Sequence, residues 1–283
     1  GAENVAVGSQ ALNANTTGAD SVAIGREAAK DLTTGSNSVA IGKSALNKCT
    51  TSEYNTAVGK AAAFYVTGQH NTAIGGLAMH YRTTGAYNVA VGLEAGRGAS
   101  QADPATGDGN TCVGRGSGED LTSGANNLLL GREAGKSASP SGTITTASNK
   151  ICLGNNDITN VYVKVDWTVT SDRRDKTDIE PFNHGLSWIN KLNPVTYRWD
   201  NRSNYEDGVP DGSKKGTQLN IGLIAQDELE VEKEHGYGDS SDNMLVTNVN
   251  ADGNYGMQYS KLVPILINAI KELSTKITAL EAK

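Results

Sequence analysis

The sequence has 283 residues, 33 of them glycine, with 5 % aromatic and 37 % hydrophobic side chains, a supply too thin for one large globular core but sufficient for a narrow stacked one. A formal net charge of -6 offers no cationic excess to meet a phosphate backbone, so no nucleic-acid partner is expected. The three cysteines, Cys49, Cys112 and Cys152, are odd in number and widely spaced; they fit neither a disulfide framework nor a metal cluster, and read as small buried residues of a protein assembled in a reducing cytoplasm.

No run of about 18 apolar residues is present, so no membrane insertion is expected. Gly1-Ala2-Glu3-Asn4 has no basic-then-apolar signal pattern and begins in mid-repeat, as a fragment of a longer protein does. The repeat itself is Asn/Ser-x-Ala-Val/Ile-Gly, first at Asn4-Val5-Ala6-Val7-Gly8, then at Ser21–Gly25, and last, degenerately, at Lys150-Ile151-Cys152-Leu153-Gly154. Its closing glycines follow one another at steps of 17, 17, 17, 16, 17, 22, 17 and 23, a period that predicts stacked units over residues 1–154. Apolar residues two apart, such as Val22 and Ile24, give each short strand one apolar face, with the residue between them pointing the other way. Glycine at the corner and alanine three residues later (Ala28, Ala45, Ala62) permit tight turning and close stacking, so the units are expected to hydrogen-bond along one axis as a β-solenoid.

These units resemble the head repeats of trimeric autotransporter adhesins, which form a left-handed parallel β-roll, and the similar repeats of phage tail fibres. The two long steps, around Asp103-Pro104 and around Ser137–Gly142, are expected to loop outward, where ligands can reach them. Asp103 and Asp108 lack the carboxylate density of a calcium loop, and neither metal nor cofactor is expected. Tyr65, His70, His80, Tyr81 and Tyr87 are candidate receptor-binding residues, because aromatic and imidazole rings on a shaft surface can stack on sugar.

After Gly154 the pattern changes. Residues 155–170 read as a connecting strand, since Val161–Thr170 alternates apolar and polar side chains. It runs into Ser171-Asp172-Arg173-Arg174-Asp175-Lys176. A serine hydroxyl needs a nearby base to act as nucleophile, and a lysine serves once burial or neighbouring cations leave it neutral, which makes Ser171 and Lys176 a candidate catalytic pair. Three further blocks follow in order: Leu192-Asn193-Pro194-Val195-Thr196-Tyr197-Arg198-Trp199, Ile221-Gly222-Leu223-Ile224-Ala225-Gln226-Asp227 and Tyr259-Ser260-Lys261-Leu262. Together the four resemble the C-terminal intramolecular chaperone of phage tail fibres and endosialidase tailspikes. The resemblance implies trimerisation-dependent folding and then self-cleavage by a serine and a lysine matching Ser171 and Lys176, with Thr170-Ser171 as the bond cut. It also implies that the polar segment Asp200–Gly212 is an arm holding the folding shaft.

At the C-terminus, Val263, Leu266, Ile270, Leu273, Ile277 and Leu280 recur at steps of 3, 4, 3, 4 and 3, an apolar seam on a helix that needs a partner. The simple seam rule favours two strands, while the resemblance sets the expectation at three, a homotrimer. The expected fold is thus mainly β with a C-terminal α+β domain: a trimeric β-solenoid shaft (1–154), a connecting strand (155–170) and an intramolecular chaperone domain (171–283) ending in a coiled-coil helix. The expected role is that of a virion tail fibre or other extracellular fibre, assembled in the bacterial cytoplasm, attaching to a cell-surface glycan or outer-membrane component. A purely structural extender and a bacterial surface adhesin are the alternatives. Any catalysis is a single turnover in cis, since the repeats contain no constellation suited to a multiple-turnover enzyme.

Overall fold

In the computed structural model, which describes residues 1–250 and 252–283, each repeat forms one coil carrying one three-residue strand. The strands are β1 (Val5–Val7), β2 (Val22–Ile24), β3 (Val39–Ile41), β4 (Thr56–Val58), β5 (Thr72–Ile74), β6 (Val89–Val91), β7 (Thr111–Val113), β8 (Leu128–Leu130) and β9 (Ile151–Leu153). They pair in sequence order, all parallel and all in register, so Ala23 faces Ala40 and Ala40 faces Ala57. Hydrogen bonds leave each coil for its neighbours well beyond the strands, as where Thr33 N–H reaches the Thr50 carbonyl and Lys48 N–H that of Phe64, both at 2.8 Å. The result is the β-solenoid that the repeat period predicts.

The asparagine that opens the repeat is a buried ladder. Asn71 Oδ1 accepts the Asn88 backbone N–H at 3.0 Å, Asn88 Oδ1 that of Asn110 at 2.8 Å, and Asn110 Oδ1 that of Asn127 at 3.1 Å. The amide groups of Asn71, Asn110 and Asn127 also donate to a carbonyl of the next coil's corner, Gly85, Gly124 and Ala147, each at 2.9 Å. Where serine stands instead, at Ser21 and Ser38, the hydroxyls accept the same N–H groups at a longer 3.3 Å. Either side chain satisfies a buried amide that would otherwise stand unpaired, which explains the Asn/Ser alternation of the motif.

The strand alternation is present, but the face turned inward is the alanine's. Ala23, Ala40, Ala57, Ala73 and Ala90 are buried and join Ala28, Ala45, Ala62 and Ala78 in a continuous core with Leu32, Leu46, Val66, Met79, Leu121 and Leu129. The coil interior is so shallow that only small residues fit beneath the strand, so the β-branched flanks turn outward. Val7, Ile24, Ile41, Ile74 and Val113 are exposed, in one column with the half-buried Val58, Val91 and Leu130. All three cysteines are buried and free. One charge also enters the core: Arg82 takes the place that Leu32 and Val66 hold in other coils, gives its Nη1 to the Gly107 carbonyl at 2.6 Å, and has its pKa lowered by burial. Of the two long steps, Gln101, Ala102 and Asp103 lie on the outside, whereas Ser139 of the second is buried and folded back on its own carbonyls.

Residues 160–170 form no strand in the single chain; Val161, Tyr162, Val163, Val165, Trp167 and Val169 all lie exposed. An alternating segment becomes a strand only when a neighbouring strand pairs with it, and among the described residues no strand pairs with Val161–Thr170. The division into compact units falls after Thr159, five residues beyond the last repeat glycine.

The second unit, Asn160–Lys283, contains the α1 turn (Leu186–Ile189), β10 (Val195–Tyr197), β11 (Asn220–Gly222), α2 (Ala225–Glu234), β12 (Thr247–Val249), β13 (Tyr255–Met257) and α3 (Leu262–Glu281). β10 pairs antiparallel with β11, and β12 with β13. Its core gathers Trp188, Val231, Val246, Leu262 and Ile265. α3 packs on α1 through a face bearing Ala269 and Asn268, whose Nδ2 donates to the Phe182 carbonyl at 2.6 Å. Pro264 stands in the first turn of α3, where a missing N–H is tolerated.

Two glutamates on α2 are buried. Glu232 accepts the backbone N–H groups of Leu245, Val246 and Thr247 at 2.8, 2.9 and 2.6 Å, tying the loop before β12 to the helix. Glu228 accepts the Trp188 indole N–H at 2.8 Å, while its second oxygen is buried without a partner. Burial pushes the Glu228 carboxyl up to about 7, the charge of Glu232 adds to the rise, and the Trp188 bond opposes it.

Two outcomes follow for stability. At Gly42, φ is +128° and an added Cβ would stand 2.6 Å from the Gly59 carbonyl oxygen of the next coil, so Gly42→Ala should destabilise the shaft by roughly 2–4 kcal/mol, read as a lowered denaturation midpoint. For Glu228 the folded pKa lies above the unfolded one, so its proton is fully held in both states only below about 4.5. Stability therefore falls as pH rises from about 4.5 to about 7 and stays low above it, a loss on the order of 3 kcal/mol. Glu228→Gln should remove that slope and raise stability at pH 8, as measured by denaturant unfolding across pH.

Candidate functional site

Ser171 and Lys176 flank a short 3-10 turn, Arg173–Asp175, that brings their side chains together. Asp172 caps the turn by accepting the Arg174 N–H at 2.9 Å, and its carboxylate also binds the Arg174 guanidinium at 2.7 Å. That pairing holds the Asp172 carboxyl below its ordinary range. Lys176 N–H closes the turn on the Arg173 carbonyl at 3.2 Å, and Lys176 Nζ lies 2.6 Å from Ser171 Oγ. Lys176 makes no ion pair with Asp175 among the described residues, so the acid next to it in sequence does not compete for its amine.

Serine and lysine within hydrogen-bond reach form the minimal nucleophile and base, and the carbonyl of Thr170 stands immediately upstream of the serine amide. Both side chains are exposed in the single chain.

The other three sequence blocks converge. The Val195–Tyr197 strand of the second block pairs with Asn220–Gly222 of the third, and the Tyr259 hydroxyl of the fourth accepts the Leu223 N–H at 2.8 Å. Their hydrogen bonding makes them the frame of the domain, whereas the bonds of the 171–176 turn run within that turn. Asp200–Gly212 is a folded loop: Asp200 accepts the Tyr205 hydroxyl at 2.7 Å and the Gly212 N–H at 2.9 Å. On α3, the seam residues Val263, Leu266, Ile270, Leu273, Ile277 and Leu280 are all exposed, while Leu262, Ile265 and Ala269 are buried.

The candidate receptor-binding residues fall into two groups on the shaft. Tyr65, His80 and Tyr81 cluster with Phe64; Tyr65 and Tyr81 stack at 6.0 Å and 17°, and His80 meets both edge-on. Burial lowers the His80 pKa, and its Nδ1 lies 3.0 Å from the Ala61 carbonyl, the contact of a neutral imidazole donating from Nδ1. His70 and Tyr87 belong to a second column with Tyr54, stacked Tyr54–His70–Tyr87 at 4.9 and 5.0 Å. Tyr54 was not singled out by sequence; counting one repeat back from His70 and Tyr87 finds it. Glu228 gave no signal beyond its place on a helix, since a buried carboxylate is recognisable only from its surroundings.

No helix among the described residues is long and apolar enough to cross a membrane. No curated protein and no solved structure matches the chain significantly. Residues 171–237 match the Peptidase_S74 family model, described as the chaperone of endosialidase, and the match begins at the serine of the Ser171–Lys176 pair. The chain thus joins a β-solenoid shaft to a segment of the self-processing endosialidase-chaperone type.

Proposed function

We propose that this chain is part of a trimeric tail-fibre or adhesin-type protein in which three copies of the C-terminal domain align the chains, the shaft folds against them, and the domain cuts itself off between Thr170 and Ser171. The observation that carries this reading is the 2.6 Å contact of Lys176 Nζ with Ser171 Oγ, at the first residue of the matched segment. Assembly removes water from the pair and leaves Lys176 neutral. Ser171 Oγ then attacks the Thr170 carbonyl carbon as its proton passes to Nζ. The proton is returned to the Ser171 amide nitrogen as the C–N bond breaks, leaving the Thr170 acyl group as an ester on Oγ and a free Ser171 amine. Water hydrolyses the ester, releasing a Thr170 carboxylate and a fragment beginning at Ser171. Each chain reacts once.

Three apolar surfaces support assembly as the trigger: the outward column of the shaft, the exposed alternating segment 160–170 and the α3 seam. Exposed apolar surface of this extent marks interaction sites, and copies of the same chain offer three matching surfaces. The released shaft is a fibre of the host-attachment kind, binding surface glycan or outer-membrane material, with three copies adding avidity to weak contacts.

Mass spectrometry and size analysis of the expressed wild type beside Ser171→Ala and Lys176→Ala test the reading. The wild type should yield a fragment starting at Ser171, the two variants should stay intact, and all three should be trimeric; a wild type as intact as the variants removes the cleavage claim. Ile270→Asp with Ile277→Asp, placed in the α3 seam away from the pair, should give an uncleaved chain of lower mass in light scattering. Cleavage by a monomeric double variant would show that the pair works without assembly.

A further inference from the structure

We propose that the shaft carries a saccharide-binding groove centred on Tyr65 and Tyr81, taking a neutral oligosaccharide; it rests on the host-attachment reading above and gives that reading a site. The repeat supplies the argument, because each coil shows what the fold requires at a position and departures from it show what the fold does not. The column that holds the two tyrosines contains Ala14, Asp31 and Lys48 in the coils before them, tied coil to coil by the same backbone bonds: Lys48 N–H to Phe64 at 2.8 Å, Tyr65 N–H to His80 at 3.2 Å and Tyr81 N–H to Arg97 at 2.7 Å. A coil that folds with alanine, aspartate or lysine there has no structural need of an aromatic ring.

The second departure meets the first in space. The step from Gly92 to Gly114 is 22 residues instead of 17, and the added residues supply Gln101 and Pro104 to the groove that Tyr65 and Tyr81 line. Gln101 Oε1 accepts the Tyr65 hydroxyl at 3.1 Å, while His80 and Phe64 both pack edge-on against that ring. Thr67 and Thr83 provide hydroxyls, and Lys48 closes the near end. The whole encloses about 490 Å³, the size of a small-ligand site.

Its chemistry is that of sugar recognition. Two nearly parallel rings 6.0 Å apart give apolar surface for the C–H face of a pyranose, and the surrounding hydroxyl, amide and ammonium groups meet its hydroxyls. Rings held in advance lose little freedom on binding. The sugar is neutral because the one cation of the groove is already balanced, Lys48 Nζ pairing with Asp31 at 2.8 Å, in a chain of net charge -6. None of the groove residues belongs to the outward Val/Ile column.

The probe is an array of neutral and acidic oligosaccharides, the latter bearing sialic or uronic acid, applied to the full chain and to Tyr65→Ala, Tyr81→Ala and Gln101→Ala. Lys60→Ala, an exposed shaft position outside the groove, is the control. The expected result is retention on neutral sugars by wild type and control, with a loss of about tenfold or more in each tyrosine variant and a smaller loss in Gln101→Ala. Circular dichroism should show Tyr65→Ala and Tyr81→Ala folded, since Ala14 already occupies their column. Binding to acidic sugars only, to no sugar, or equally by wild type and tyrosine variants overturns the groove. Sedimentation of the same proteins with intact bacteria separates the two readings. Equal adhesion by wild type and Tyr65→Ala leaves host attachment standing and removes the groove, while array binding with no adhesion to cells leaves the groove and removes host attachment.

Discussion

A coil of this shaft cannot satisfy its own backbone. Its strand N–H groups, its corner amides and its buried asparagines find their acceptors in the coil above or below, so each turn exists as a structured object only when another lies on it. Buried amides demand partners, and here nearly a whole coil away is where they are met. The constraint fixes the period, forces small residues under the strand and requires glycine where successive corners touch. It also makes folding a matter of starting correctly, since the first two coils gain least and every later one is templated.

A structure built from non-local, parallel pairing forms slowly and offers open edges while it forms. Against that background the second unit makes physical sense as a folding aid. Its own core is small, closed around Trp188 and Leu262, and independent of the shaft's packing. It presents an unpartnered helix seam that suits a self-complementary assembly. The Ser171–Lys176 contact lies in an exposed turn of the same unit.

The repeat was legible because glycine spacing reports coil length directly, and the contact of Ser171 with Lys176 follows from five residues of separation across a 3-10 turn. The inward face of the strand was not legible. Alternation in Val22-Ala23-Ile24 says that two sides differ but not which is covered, and only the depth of the coil decides for alanine. Val161–Thr170 misled in the opposite way: the pattern of a strand is there, but the neighbour that would make it one is not in the single chain. Tyr65, Tyr81 and Gln101 meet only once coils are stacked with their one long step in place, so their groove belongs to the register and to no local motif. Arg82 and Glu228 break the rule that interiors exclude charge, and no linear pattern announces such exceptions.

The column running through Ala14, Asp31, Lys48, Tyr65 and Tyr81 is indifferent to residue type while its backbone is tightly specified. Architecture and vocabulary are thereby uncoupled. Substitutions along that line alter what the exterior says without taxing the scaffold, and a lengthened step rewrites one paragraph while the coils on either side keep their grammar. A lineage carrying such a shaft can change its exterior by point mutation and small insertion, with no need to reinvent the rod beneath it.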